Sequence, residues 1–132
     1  MSVPNWRAIA LDTKNYNQEW RIQAAFHLEN QPDDEAVHIL GKGLKTDPSP
    51  IVRHEFAFSL GETAHPKIAA PYLMEAVEHD PNIFVRHEAV LALATLGKEE
   101  FISFIARFIN DPEPEMAESA QIALQRIKQT GH

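Results

Sequence analysis

Residues 52–61, VRHEFAFSLG, recur 33 positions later as VRHEAVLAL in residues 85–93. Each copy follows an Asp-Pro pair, which lies at residues 47–48 before the first copy and at residues 80–81 before the second. Both copies combine an apolar stripe at helical spacing with the same polar pair. Because such long matches do not arise from composition alone, this stretch indicates an internal repeat.

Two weaker copies extend the repeat to the rest of the chain. WRIQAAFHL occupies residues 20–28 and MAESAQIAL occupies residues 116–124, and the second of these also follows an Asp-Pro pair. A period of 31–33 residues is typical of solenoids, in which each unit packs on its neighbours. We therefore predict a single domain over residues 1–132. Its four units lie at about 5–46, 47–79, 80–110 and 111–130.

Each unit is predicted to contain two helices, because apolar residues recur at helical spacing and proline falls at the breaks. No segment shows sustained alternation of apolar and polar residues, so no strand is predicted. The sequence thus predicts an all-α fold, an α-solenoid of about four helix-pair repeats. The first helices are predicted at about 18–29, 49–63, 82–96 and 114–129, the second helices at about 33–45, 66–78 and 99–109, and a short helix or cap at 4–11.

The two strong copies carry the same polar pair, His54-Glu55 and His87-Glu88. At about 100° per residue, these side chains lie off the apolar stripe, which we expect to pack against the unit's own second helix. Equivalent helices lie side by side, about 8–10 Å apart, so the four side chains are predicted to converge on one surface. A duplicated surface pair without chemistry is the alternative, because repeats share ancestry.

Imidazole and carboxylate are the metal ligands that this composition allows. The sequence contains seven histidines and no cysteine, which excludes thiolate sites. Nitrogen and oxygen ligands of this kind suit iron, manganese or zinc. The repeated His-Glu pair therefore predicts a metal site. Arg53 and Arg86, which precede the two histidines, are predicted to form ion pairs between repeats.

Apolar residues accompany the histidines on the same predicted face. Phe58 and Leu91 each lie four residues after a histidine, and the matching positions in the outer units are Phe26 and Ile122. A solvated concave face does not need these residues, so we expect another subunit or a ligand to cover it. Burial between repeat helices is the alternative for them.

Charge and hydropathy limit the partners and the location. The formal net charge of −7 argues against a nucleic-acid surface, because phosphate contacts need clustered Lys and Arg. No apolar run approaches the length of a membrane span, and the N-terminus lacks the basic start and apolar core of a signal peptide. We predict a cytoplasmic protein with neither a nucleic-acid nor a membrane partner.

With both His-Glu pairs in place, the chain resembles the deoxyhypusine hydroxylase family, a family of HEAT-repeat proteins within the wider group that includes phycobilisome-lyase-like repeats. The resemblance covers roughly residues 18–128 and is most specific in the two VRHE stretches at 52–55 and 85–88. Members of that family hold a non-haem di-iron centre between two halves, each with two His-Glu pairs. They use dioxygen to hydroxylate a deoxyhypusine side chain on a translation factor. This chain is similar to one half of such an enzyme.

The resemblance implies which residues form the site. It makes His54, Glu55, His87 and Glu88 the iron ligands and assigns no catalytic residue beyond them. It implies a homodimer, because a two-fold axis makes the same face meet itself and supplies four His-Glu pairs. Two irons would then be shared between two chains, with the four apolar residues above at the interface or cavity.

Three hypotheses follow for the function. The first is a dioxygen-activating di-iron monooxygenase, completed by homodimerisation, that acts on an unidentified protein side chain or small molecule. The second is a non-catalytic HEAT-repeat module whose concave face binds a protein segment or another small ligand. The third is a mononuclear site within one chain, formed by His54, His87 and one glutamate.

Overall fold

The protein is seen in a computed structural model that describes residues 3–130. Those residues form eight α-helices and one 3-10 turn, and no strand is found among them. The predicted all-α solenoid is confirmed. The unit boundaries stay a prediction, and residues 1–2 and 131–132 of the predicted domain lie outside the described residues. The helices are α1 (Trp6–Ile9), α2 (Gln18–Leu28), α3 (Asp34–Thr46), α4 (Pro50–Glu62), α5 (Pro66–His79), α6 (Ile83–Leu96), α7 (Ile102–Ala106) and α8 (Pro114–Thr130).

Local capping explains why α4 and α6 begin at matching places. The Ser49 side chain accepts a hydrogen bond from the backbone N–H of Val52. The Asn82 side chain accepts from the backbone N–H groups of Phe84 and Val85. Such caps satisfy donors that the first helical turn leaves unpaired. The two strong copies of the repeat therefore enter their helices in the same register.

The second helix of the third unit is shorter than predicted. A single helix was expected over residues 99–109, whereas the structure has a 3-10 turn at Glu99–Phe101 followed by the five residues of α7. No side chain caps the start of either element. After α7 the backbone N–H groups of Arg107 and Phe108 bond three residues back, to Phe104 and Ile105. This tighter winding ends the α-helix.

The helices form two layers: α2, α4, α6 and α8 lie side by side in one, α3 and α5 pack together in the other, and α7 packs against α8. The apolar stripe of α4 was expected to pack against α5, the unit's own second helix; α4 does contact α5, but it packs more extensively against α3, the second helix of the preceding unit. The fully buried ring of Phe56 lies against Gly43 of α3, in the preceding unit. The absence of a side chain at Gly43 lets the ring approach the α3 backbone. Within residues 3–130, none of the helices has the length and apolar character that a membrane crossing requires.

Three Arg-Asp ion pairs link successive repeats, as predicted for Arg53 and Arg86. In each pair, an arginine on a first helix reaches the aspartate of the Asp-Pro loop that precedes the next first helix. The same aspartate accepts a hydrogen bond from the backbone N–H two residues later. Each aspartate thereby holds its own turn and the neighbouring repeat. The pairs are Arg21–Asp47 at 2.8 Å, Arg53–Asp80 at 2.9 Å and Arg86–Asp111 at 3.4 Å.

Candidate metal centre

The four predicted ligands lie on two adjacent helices of the same layer. His54 and Glu55 are on α4, and His87 and Glu88 are on α6. These helices pack extensively against each other. All four side chains are partly exposed, so the pairs face a surface that water or another molecule can reach.

The carboxylates of Glu55 and Glu88 both approach the imidazole ring of His54. His54 Nδ1 lies 3.4 Å from Glu55 Oε1, and His54 Nε2 lies 3.5 Å from Glu88 Oε2. The second contact crosses from α4 to α6 and therefore joins neighbouring repeats. Because the two carboxylates approach opposite edges of the ring, these three residues do not surround a single point.

The fourth side chain turns away from this group. His87 Nδ1 is hydrogen-bonded to the Ser119 hydroxyl on α8. Across residues 3–130, no group of three or more His, Asp or Glu side chains is arranged to hold a metal ion. The mononuclear arrangement of His54, His87 and one glutamate is therefore not preformed in this part of the chain.

The separation between His54 and Glu88 suits two ligands of one ion. Nitrogen and oxygen donors that each lie about 2.0–2.2 Å from an ion are roughly 3–3.5 Å apart. The 3.5 Å between His54 Nε2 and Glu88 Oε2 is close to that range. Imidazole and carboxylate donors without thiolate also match the preferences of iron. The residues present thus fit part of the coordination shell of a metal centre.

Burial changes the proton affinity of two of the predicted ligands. It raises the pKa of the Glu88 carboxyl, an effect that the nearby His54 opposes and Glu55 reinforces. Burial also lowers the pKa of the His87 imidazole, and the positive charge of His54 adds to this. A neutral imidazole is the form that binds metals. A cation beside Glu88 would offset the cost of burying its negative charge.

The four apolar residues predicted to line the interface or cavity lie one on each of the first helices α2, α4, α6 and α8. Phe26, Phe58 and Ile122 are 40%, 40% and 41% exposed, and Leu91 is half-buried. None of the four belongs to the fully buried core. These side chains are thus open to a partner or ligand.

Sequence reasoning missed the two most exposed apolar residues near the histidines. Ile51 is 60% exposed and Phe84 is 67% exposed. Each lies three residues before a histidine, one helical turn earlier on the same side. That spacing was available in the sequence, but both residues fall in first helical turns, before the recognised stripe begins.

An open cleft of about 190 Å³ lies beside His87, between α6 and α8. Its wall combines apolar and acidic side chains, so it presents both kinds of surface next to a predicted ligand. Glu118, one of the lining residues, opposes the lowering of the His87 pKa. The lining residues are Ile83, Phe84, His87, Glu115, Glu118, Ser119 and Ile122.

Other histidines have partners away from this face. His38 Nδ1 lies 2.6 Å from the Tyr72 hydroxyl. His65 Nε2 lies 2.9 Å from the Pro32 carbonyl oxygen. His27 stacks on the indole of Trp6, with 4.2 Å between ring centroids. These contacts serve local packing.

Comparison with known proteins gives one family and a consistent set of relatives. A profile described as HEAT repeats matches residues 4–94 and again residues 37–125. The chain is similar to the deoxyhypusine hydroxylase of Drosophila pseudoobscura pseudoobscura, with 39% identity over 124 residues, which is 93% of this chain and 40% of that protein. It is also similar to the deoxyhypusine hydroxylase of Danio rerio, with 37% identity over 128 residues, which is 96% of this chain and 41% of that protein.

A solved structure agrees with these relatives. The structure of human deoxyhypusine hydroxylase in complex with glycerol matches with a TM-score of 0.85 and 27% identity, covering 94% of this chain and 42% of that chain. The resemblance inferred from the two VRHE stretches is confirmed. The chain spans about two fifths of the length of the relatives it matches.

Proposed function

The chain belongs to the HEAT-repeat family, and we propose that it is a cytoplasmic, non-haem di-iron hydroxylase that activates dioxygen. The relatives named above support the type of reaction. The observation that carries the proposal is the contact between His54 on α4 and Glu88 on α6, which brings a nitrogen and an oxygen donor of neighbouring repeats to 3.5 Å. His87 and Glu55 lie on the same two helices.

The four paired side chains have distinct tasks in this proposal. His54 and His87 bind through neutral imidazole nitrogens, and the depressed pKa of His87 favours that form. Glu55 and Glu88 bind as carboxylates. When bound, the iron supplies the reduction of dioxygen, which side chains alone cannot perform. The chain holds the ligands and orients the substrate, and its apolar residues exclude water.

A second copy of the chain completes the centre in our proposal. One chain brings together too few donors among its described residues, and a two-fold axis would make the same face meet itself. The exposed Ile51, Phe84 and Phe58 would then be covered by their counterparts. Glu55 and Glu88 of the two chains would repel each other without a cation between them. We therefore propose that iron binding and dimerisation are coupled.

Iron analysis tests the assignment of the ligands. We expect about one iron per chain, as in a di-iron centre shared by two chains, after expression in iron-supplemented cells. His54→Ala and His87→Ala should each lose most of this iron. His79→Ala is the control, because His79 is exposed at the end of α5, in the other layer of helices. Much less than one iron per chain, with no further loss in either variant, would contradict the proposal.

The substrate is the next unknown. A peptide that carries a deoxyhypusine side chain is the first candidate, because that group appears in the names of the relatives. Iron-loaded protein, reductant and dioxygen should add one oxygen atom to it, detected by mass spectrometry as a 16 Da increase that requires His54 and His87. A reaction independent of both histidines would remove the proposed centre from the mechanism.

The exposure of Ile51 and Phe84 also favours a second candidate, a non-catalytic module that binds a protein segment on this face. Exposed apolar patches often mark such surfaces. The two candidates differ in their need for histidine. A module should keep its partner after His54→Ala and His87→Ala are combined, whereas the enzyme should lose its iron.

A further inference from the structure

Ser119 forms a hydrogen-bond relay between His87 and the backbone of α8. Its hydroxyl oxygen is hydrogen-bonded to His87 Nδ1 and lies 2.6 Å from the carbonyl oxygen of Glu115. A carbonyl only accepts hydrogen bonds, so the single hydroxyl proton of Ser119 must be donated to Glu115. The hydroxyl oxygen is then left as an acceptor, and the proton of the second hydrogen bond must come from His87 Nδ1.

Burial prevents water from taking over this role. Ser119 is only 1% exposed, and a buried polar group without a partner is costly. The tautomer of His87 in which Nδ1 is protonated and Nε2 carries the lone pair is therefore favoured. His54 has no equivalent constraint, because both of its nitrogens face carboxylate oxygens, which accept at either position.

The repeat register places Ser119 where a ligand would be expected. Aligning the four units puts Ser119 at the position of Glu55 and Glu88. His54 contacts Glu88 in the following unit, and His87 contacts Ser119 in the unit after its own. The last unit lacks a His-Glu pair, yet it meets the preceding histidine through the same position of the repeat.

We propose that Ser119 is a positioning residue that holds His87 as the Nδ1–H tautomer and so presents its Nε2 lone pair to the metal-binding face. A partner on the remote nitrogen commonly fixes the tautomer and orientation of a metal-binding histidine. The metal part of this inference rests on the proposed function. The tautomer is a property of the chain without metal.

Nitrogen NMR of the metal-free protein tests the tautomer directly. At about pH 8, above the ordinary histidine pKa of about 6.5, the ring-nitrogen shifts of ¹⁵N-labelled His87 distinguish the two tautomers. We expect Nδ1–H in the unmodified protein and in Ser119→Thr, which keeps the hydroxyl. Ser119→Ala should shift the population towards Nε2–H, as isolated imidazoles in water prefer.

A matched control separates this effect from the loss of any buried hydroxyl. Ser59 on α4 is also fully buried, but its hydroxyl bonds a carboxylate and not an imidazole, since it donates to Glu29 Oε1 at 2.9 Å. Ser59→Ala should leave the His87 tautomer unchanged. Thermal melting monitored by circular dichroism shows whether each variant is folded.

Iron binding provides the second readout. Fe(II) is added anaerobically to metal-free protein in competition with a chromophoric chelator, and Ser119→Ala should weaken binding by roughly 10–100-fold. Ser119→Thr and Ser59→Ala should bind as the unmodified protein does. If no variant binds Fe(II), the proposed function fails while the NMR result still decides the role of Ser119. An Nε2–H tautomer in the unmodified protein, or the same tautomer and affinity in Ser119→Ala, would overturn the inference.

Discussion

Individual aspartates at the repeat junctions carry two structural roles at once. Asp47 binds Arg21 through both carboxylate oxygens and accepts from the Ser49 backbone. Both members of this ion pair are at least nine-tenths buried, so neither is free to exchange its partner for water. Such pairs are costly to break, because the remaining charge is left without compensation.

Removing the charge of Asp47 should therefore destabilise the protein strongly. We expect Asp47→Asn to lower the free energy of unfolding by about 3–5 kcal/mol, because Arg21 stays buried without a carboxylate. Asp111→Asn is the matched comparison and should cost less, because its pair with Arg86 is longer and more exposed. Urea denaturation of both variants measures the difference. Equal losses would show that burial does not set the strength of these pairs.

The raised pKa of the Glu29 carboxyl should make the free energy of unfolding depend on pH. Burial raises the pKa of this carboxyl, Ser59 opposes this by hydrogen bonding, and the charges of Glu62 and Glu55 add to the increase. The folded state thus binds its proton more tightly than the unfolded chain, so the stability that this group supplies at low pH is lost as the pH rises from the unfolded to the folded pKa. Glu29→Gln should therefore stabilise metal-free protein at pH 7.

The control for this prediction is the same variant at acid pH. Below the ordinary glutamate pKa of about 4.3, the carboxyl is protonated in both states and Glu29→Gln should change little. Denaturant unfolding at pH 7 and at about pH 3.5 measures both. A stabilisation that is the same at the two pH values would rule out the charge of Glu29 as its cause.

The packing of α3 on α4 depends on a position without a side chain. A Cβ atom at Gly43 would lie 1.7 Å from Cε2 of Phe56. Phe56 is fully buried and belongs to the core, so its ring has no free space to move into. This contact sets how closely the second helix of one unit approaches the first helix of the next.

Gly43→Ala should therefore destabilise, although alanine normally favours a helix over glycine. We expect a loss of about 1–3 kcal/mol from overpacking. Phe56→Leu removes the clash, so in a double-mutant cycle the two substitutions should cost less together than the sum of their separate effects. Denaturant unfolding of the four proteins measures the coupling. If the two losses in stability are additive, the strain caused by Gly43→Ala does not come from contact with Phe56.

The main surface feature of the whole molecule is the face formed by the first helices α2, α4, α6 and α8. It carries the two His-Glu pairs, and two of the most exposed apolar side chains of the described chain, Ile51 and Phe84, lie one helical turn before the histidines. Apolar residues favour association, whereas like charges oppose it. We therefore expect the balance between them to depend on bound cations.

Sedimentation tests this balance. The metal-free protein should be largely monomeric, and anaerobic Fe(II) should shift it towards twice the 14.9 kDa chain mass. Ile51→Glu combined with Phe84→Glu should prevent the shift, because it adds charge at the proposed interface. Thr46→Glu combined with His79→Glu adds the same charge to α3 and α5 in the other layer and should leave it intact. A dimer that forms without iron, and that still forms when Ile51→Glu and Phe84→Glu are combined, would contradict the coupling of iron binding to dimerisation.

Local patterns in the sequence were enough to predict the helices, their register and the likeness to the deoxyhypusine hydroxylases. Helical periodicity, Asp-Pro loops and the two VRHE stretches are encoded by residues close together in the chain, so no distant contact is needed to recognise them. The second helix of the third unit is shorter than predicted, because an apolar pattern in the sequence does not reveal that a helix cap is missing. The ligand assignments, the dimer and the unit boundaries stay predictions.

Apart from the ion pairs of Arg53 and Arg86, contacts between side chains of different repeats could not be read from sequence patterns. The packing of Phe56 on Gly43 of the preceding unit, the exposure of Ile51 and Phe84, and the partner of His87 emerge in the folded chain. The physical reason is that helical spacing gives the direction of a side chain around its own helix. Its rotamer and its neighbour depend on how a second helix is placed, which the three-dimensional packing determines.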